Sequence, residues 1–116
     1  MRNDRENIIV KKTFNLSVDV IEYVDILESR RKFVVANQVI KSGTSIGANT
    51  REAQNAESKA DFIHKFKIAA KEADELQYWL DICKTSNQYP DPPEELLKKL
   101  QDIINIISKI ISTSKR

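Results

Sequence analysis

Val39-Ile40-Lys41-Ser42-Gly43-Thr44-Ser45-Ile46-Gly47-Ala48-Asn49-Thr50-Arg51-Glu52-Ala53 decides the reading of this chain. The stretch holds both glycines of the protein, yet its apolar residues keep helical spacing. Val35, Val39, Ile46, Thr50 and Ala53 recur on one face of a helix. Beside them runs a polar stripe of Gln38, Ser42, Ser45, Asn49 and Glu52. A helix with an ordered polar row next to an apolar one needs partners for both rows. Glycine inside a helix costs about 1 kcal/mol relative to alanine, so close packing has to compensate. Gly43, Gly47, Ala48 and Ala53 are small enough to admit a neighbouring helix. The pattern predicts a helix from Phe33 to Ala56.

Downstream, Ser58-Lys59-Ala60-Asp61 reads as an N-cap with an acid three residues on. It opens a third helix running to about Asn87. Phe62, Phe66, Ala69, Ala73, Leu76, Leu80 and Cys83 repeat at intervals of three and four, a heptad seam. Its alanines are expected to lie against the glycines of the second helix. Asn87-Gln88-Tyr89-Pro90-Asp91-Pro92-Pro93 breaks the chain, because proline cannot continue a helix. Asp91 is expected to cap a fourth helix, with Pro92 in its first position and Glu94 in its third. Two apolar rows follow: Leu97, Leu100, Ile104, Ile107, Ile111 and, beside it, Leu96, Ile103, Ile106, Ile110. Together they span about half the helix circumference, more than the roughly 100° a bundle helix needs. The surplus isoleucines predict a second partner, most economically another subunit.

Upstream, a first helix is expected to start between Thr13 and Ser17, either of which can cap it. Leu16, Val20, Tyr23 and Leu27, with Val24 beside them, form its inner face. Residues 1–12 read as an N-terminal arm, and residues 13–116 as the bundle domain. Four helices with short connections predict an all-α fold, an antiparallel up-down four-helix bundle.

The 116 residues suffice for one domain. With one cysteine no internal disulfide forms, and the charged N-terminus lacks an apolar signal segment. No apolar run approaches the roughly 20 residues that span a bilayer, so a cytoplasmic location is expected. His64 and Cys83 are single representatives of their types, which excludes a zinc site built from cysteine and histidine. No Glu-x-x-His pair for a di-iron bundle occurs. Gly43-Thr44-Ser45-Ile46-Gly47 lacks the Gly-Lys-Ser/Thr ending of a phosphate loop. Cys83 ends the heptad seam and is expected as a small buried apolar residue. Trp79 and Tyr78 suit either core packing or stacking on bases. Glu52 and Asn49 are expected to meet Glu72, Lys67 or Tyr78 of the third helix. Ser45, Asn49, Glu52 and Glu72 are therefore expected to form a buried polar network that fixes helix register. Read as chemistry, Glu52 and Glu72 are two carboxylates with no histidine, metal motif or nucleophile. The expectation is a non-enzymatic protein with no cofactor and no metal.

A net charge of +2 is too small to indicate nucleic acid by itself. Its distribution is uneven. From Arg30 to Arg51 the chain has five basic residues, Arg30, Arg31, Lys32, Lys41 and Arg51, and no acid. Lys98, Lys99, Lys109, Lys115 and Arg116 make a second run, against Asp102 alone. Copies of such a patch in an oligomer add into a positive field suited to phosphate backbones.

Ser42-Gly43-Thr44-Ser45-Ile46-Gly47-Ala48-Asn49-Thr50-Arg51-Glu52-Ala53 also resembles a family signature, Ser-x-x-Ser-Ile-x-x-Asn-x-x-Glu-Ala. Ser58-Lys59-Ala60-Asp61-Phe62 and Ala69-Ala70-Lys71-Glu72-Ala73-Asp74-Glu75 match as well. The family is that of bacterial four-helix-bundle proteins encoded within intervening sequences of 23S rRNA genes. The resemblance implies the up-down bundle, a cyclic homopentamer and no catalytic activity. Similar proteins accompany diversity-generating retroelements, where they bind nucleic acid and reverse transcriptase. Two functions are therefore expected in competition. One is binding of structured RNA or RNA–DNA intermediates through Arg30, Arg31, Lys32, Lys41 and Arg51. The other is a protein-interaction adaptor ring without nucleic-acid contact.

Overall fold

A computed structural model describes residues 4–115, with side chains from Ile8 onward. Four helices occur in order: α1 (Asp4–Ser29), α2 (Phe33–Ala53), α3 (Lys59–Thr85) and α4 (Glu94–Ser114). Each helix packs along two neighbours, α1 on α2 and α4, α3 on α2 and α4. The result is the up-down four-helix bundle, 45 Å along its longest axis and about 20 Å across, with extents of 21 and 19 Å. One continuous core fills the space between the helices. Phe66, Ala69, Ala73, Leu76, Leu80 and Cys83 are all buried, as the heptad seam requires, and Phe62 is half-buried.

α1 is longer than expected. It already runs at Asp4, so Ile8, Ile9 and Val10 belong to the helix and not to an arm. Residues 1–3 of that expected arm lie outside the described residues. Thr13 is not a cap: its hydroxyl donates to the Ile9 carbonyl at 2.8 Å, one turn back. Ile9, 1% exposed, joins the core and makes the extra turns worth forming. At α4 the expected cap also moves. Pro93, with φ −58° and ψ 139°, is the N-cap residue, and no side chain caps the helix. Proline disfavours helical geometry in the residue before it, so Pro92 cannot be the first helical residue when Pro93 follows. Ser58 does cap α3, accepting from the Asp61 amide at 3.0 Å, and the Asp61 carboxylate accepts from the Glu57 amide at 3.2 Å.

The glycines of α2 face α1, not the alanines of α3. A Cβ on Gly43 would lie 2.7 Å from Val20 Cγ1, and one on Gly47 would lie 3.2 Å from the Thr13 carbonyl oxygen. Periodicity places the small residues on a face, but α1 happens to be the neighbour that uses it. Tyr23 ties α1 to the α3–α4 connection, its hydroxyl donating to the Pro90 carbonyl at 2.6 Å. Burial raises the phenol's pKa, and the adjacent Cys83 side chain adds to the shift. Burial likewise raises the Cys83 thiol, which keeps it in the unreactive protonated form.

The isoleucines of α4 do not stand out into solvent. Ile104, Ile106, Ile110 and Ile111 are half-buried against the bundle's own core. The exposed large apolar side chains among the described residues are instead Ile8, Phe14, Val18, Ile21 and Ile26 of α1, Phe33 and Val34 of α2, and Tyr78 of α3.

Candidate nucleic-acid interface

The basic residues singled out in the sequence are spread over the exposed surface of α2 and the turn before it. Arg30, Arg31, Lys41 and Arg51 are exposed, and Lys32 is half-buried. At 1.5 Å per residue, Lys41 stands about 15 Å from Arg51 along the helix axis and somewhat closer to the turn. The five therefore form a line roughly 30 Å long and not a compact patch. Among the described residues none of them makes a salt bridge. Two are oriented by aromatic rings. The Arg51 guanidinium lies 5.9 Å from the centroid of Phe14, and the Lys32 ammonium 5.0 Å from that of Tyr89. Such contacts hold a cation in place without neutralising it.

The turn has an unusual backbone. Arg31 has φ 61°, the sole non-glycine residue with positive φ among those described. The Lys32 amide donates to the Leu27 carbonyl and the Arg31 amide to the Glu28 carbonyl, both at 2.9 Å. This is a Schellman motif with arginine where glycine is usual. A left-handed conformation costs an L-residue about 1–2 kcal/mol. Arg31→Gly is therefore expected to stabilise the bundle by about 1 kcal/mol, raising the thermal midpoint. A midpoint at or below that of the unsubstituted protein would contradict it.

The second basic run is less free. Lys99 reaches Asp19 of α1 at 2.6 Å, an ion pair that raises the pKa of Lys99, and Lys12 of α1 reaches Asp102 at 2.7 Å. Lys99 thus serves to tie α1 to α4. Arg116 lies outside the described residues.

The polar stripe of α2 does not form the expected cross-helix network. The Asn49 amide donates to the Ser45 carbonyl at 2.9 Å and to the Ser45 hydroxyl at 3.1 Å, both within α2. Ser42 and Thr50, both buried, donate one turn back to the Gln38 and Ile46 carbonyls. Short polar side chains in a helix can satisfy themselves this way, without a partner helix. Glu52 is exposed and pairs with Lys65 of α3 at 3.0 Å, not with Glu72. Asn49→Ala is accordingly expected to cost less than about 1 kcal/mol, since no buried partner is stranded. A urea midpoint corresponding to a loss of 2 kcal/mol or more would restore a cross-helix role.

Sequence reasoning missed Phe14. It lies beside Arg51 in an open cleft of about 340 Å³ lined by Val10, Phe14, Gly47, Ala48, Arg51, Glu52 and Asn55. The signal was present as a second apolar stripe on α1, outside the inner face. No group of histidine, cysteine and carboxylate side chains suited to a metal occurs among the described residues. No helix there is long and apolar enough to cross a membrane.

Residues 5–113 match the sequence profile of the 23S rRNA-intervening sequence protein family. The chain belongs to this family. A crystal structure of a protein of unknown function from the S23 ribosomal protein family, from Bacteroides thetaiotaomicron, has the same fold with a TM-score of 0.86. The two are 36% identical over 92% of this chain and 97% of the other. No match is found among curated proteins. Membership in the 23S rRNA-intervening sequence proteins extends from α1 to the last turn of α4. It therefore covers the whole basic edge, Arg30 to Arg51, as well as the bundle that carries it.

Proposed function

We propose that this 23S rRNA-intervening sequence protein is a non-enzymatic, self-associating bundle that binds structured RNA or RNA–DNA intermediates through the α2 edge. The observation that carries this reading is the line of Arg30, Arg31, Lys41 and Arg51. All four are exposed and none has an ion-pair partner among the described residues. Cations held out in this way, with no carboxylate opposite, suit the oxygens of a phosphate backbone. Their spread over about 30 Å suits an extended backbone better than a small anion. Self-association repeats the edge, and the family resemblance implies a ring of five as its form.

Binding to structured rRNA fragments, titrated with salt, tests the reading. Affinity is expected to fall steeply as salt rises, because each neutralised phosphate releases counterions. Undetectable binding at low salt would leave the second reading, a cytoplasmic adaptor that recruits another protein. The exposed apolar side chains of α1 favour that alternative.

A further inference from the structure

Arg51 shares its cleft with an aromatic ring that the core does not use. Phe14 of α1 is 54% exposed. Gly47 and Ala48 of α2 line the cleft beside it and fill little of it, leaving about 340 Å³ open. That is near the lower end of the range for small-ligand sites, about 300–1,000 Å³. The Arg51 guanidinium stands 5.9 Å from the ring centroid. Such contacts reach to about 6 Å, so at this distance the guanidinium does not cover the ring. Arg51 has no ion-pair partner among the described residues, and the one carboxylate lining the cleft, Glu52, is engaged by Lys65 at 3.0 Å. Asn55, at the same opening, is exposed, and its side chain makes no hydrogen bond among the described residues. The Lys32 ammonium also lies against a ring, that of Tyr89, but Tyr89 is half-buried and packs on the core. Of the two rings that touch these cations, only Phe14 offers an open face.

An aromatic face, an uncompensated cation and a free amide around one small opening are complementary to a nucleotide. The ring suits the base, the guanidinium its phosphate, and the amide the edge of the base. We propose that the Phe14 cleft is a base-stacking site that takes one unpaired nucleotide of the bound RNA, from a bulge, a loop or a single-stranded end. The proposal rests on the nucleic-acid reading above and adds which part of the RNA is held at Arg51. A base inside an A-form duplex has no free face to offer, because its neighbours stack on both sides, whereas an unpaired base can be splayed out onto a protein ring. Stacking tolerates any base, since every base has a π-face, so the cleft selects unpaired RNA without selecting sequence. Lys41, about 15 Å away along the helix axis, is left to contact phosphates of either kind of RNA. The cleft is built from α1 and α2 of one chain and needs no second copy. An apolar side chain of a protein partner would also fit the ring, but it would leave Arg51 and Asn55 without a counterpart.

Filter binding of the full chain to a perfect RNA duplex and to the same duplex with a bulge of unpaired uridines, at several salt concentrations, tests the site. Circular dichroism on every variant checks the fold. The bulged RNA is expected to bind at least about 5-fold more tightly, the lower end for stacking one base. Phe14→Ala should remove that preference. It should leave the duplex affinity and the salt slope unchanged, because no cation is lost. Phe14→Tyr keeps a ring and should keep the preference. Phe14→Leu keeps apolar bulk without a π-face and should lose it. Ala48→Leu, at an exposed helix position, should fill the cleft and abolish the preference with every charge in place. Equal binding of the two RNAs would overturn the stacking site while leaving the phosphate contacts standing. So would a preference that survives Phe14→Ala or Phe14→Leu. No binding of either RNA at low salt would remove both readings and leave the Phe14 face to a protein partner.

Discussion

Gly43→Ala is expected to destabilise the bundle by about 1–3 kcal/mol, the usual range for overpacking a well-filled core. In an ordinary helix the same change would stabilise by about 1 kcal/mol, because alanine is the better helix former. Here the new Cβ would lie 2.7 and 2.8 Å from the two γ carbons of Val20 and 3.1 Å from its Cβ. Val20 is fully buried, and its branched side chain has little rotameric freedom in a helix. It cannot swing away, so α1 and α2 must separate or the side chains must strain. Removing both γ carbons relieves most of the clash. In a Val20→Ala background, Gly43→Ala should therefore be neutral or stabilising, and the two changes should couple by more than 1 kcal/mol. Urea unfolding of the four proteins measures this directly. A Gly43→Ala midpoint at or above the unsubstituted one would mean that α1 and α2 do not pack so closely.

That coupling marks where periodicity stops being informative. Spacing of apolar residues identified α2, α3 and α4 and their inner faces, because a buried stripe in a helix leaves a regular trace in sequence. Spacing does not say which neighbour lies on which edge of the stripe. The glycines were therefore legible as a close-approach face, while their partner, Val20 and Thr13 of α1, was not. The start of α1 failed for a related reason. Thr13 has the chemistry of a cap and of a buried hydroxyl bonded one turn back, and only the fit of Ile9 into the core chooses between them. The polar stripe failed because Ser42, Asn49 and Thr50 complete their hydrogen bonds within their own helix. Their regular spacing reflects an edge beside the core and not a network across it.

The candidate site was legible to a different degree. Exposure of Arg30, Arg31, Lys41 and Arg51 followed from their positions off the apolar row. Their freedom from ion pairs did not, since it depends on where the carboxylates of the other helices fall. Asp19 and Asp102 are spent on Lys99 and Lys12, and Glu52 on Lys65, which leaves the α2 edge uncompensated. Phe14 was invisible as a site residue because α1 was read for its inner face alone.

Replacing both Lys41 and Arg51 by Gln is expected to weaken RNA binding by at least about 10-fold at low salt, the lower end for losing charge-assisted contacts. The loss should be similar for unrelated RNA sequences, because phosphate oxygens carry no base identity. The log–log dependence on salt should flatten by about 0.7–0.9 for each phosphate no longer neutralised. Stability should hardly change, since both side chains are exposed and neither makes a salt bridge. Arg51 gives up its contact with the Phe14 ring, a contribution of about 0.5–1 kcal/mol at an exposed site. Arg31→Gly provides the contrast, because it removes a cation of the same line while relaxing the backbone at φ 61°. A protein that is more stable yet binds RNA more weakly would assign Arg31 to the interface and explain why arginine occupies a glycine position. Filter binding across several salt concentrations, with thermal midpoints for the same proteins, reads both variants together. Binding that survives both substitutions with an unchanged salt slope would move the interface off α2, to the exposed lysines of α4 that are not tied to α1.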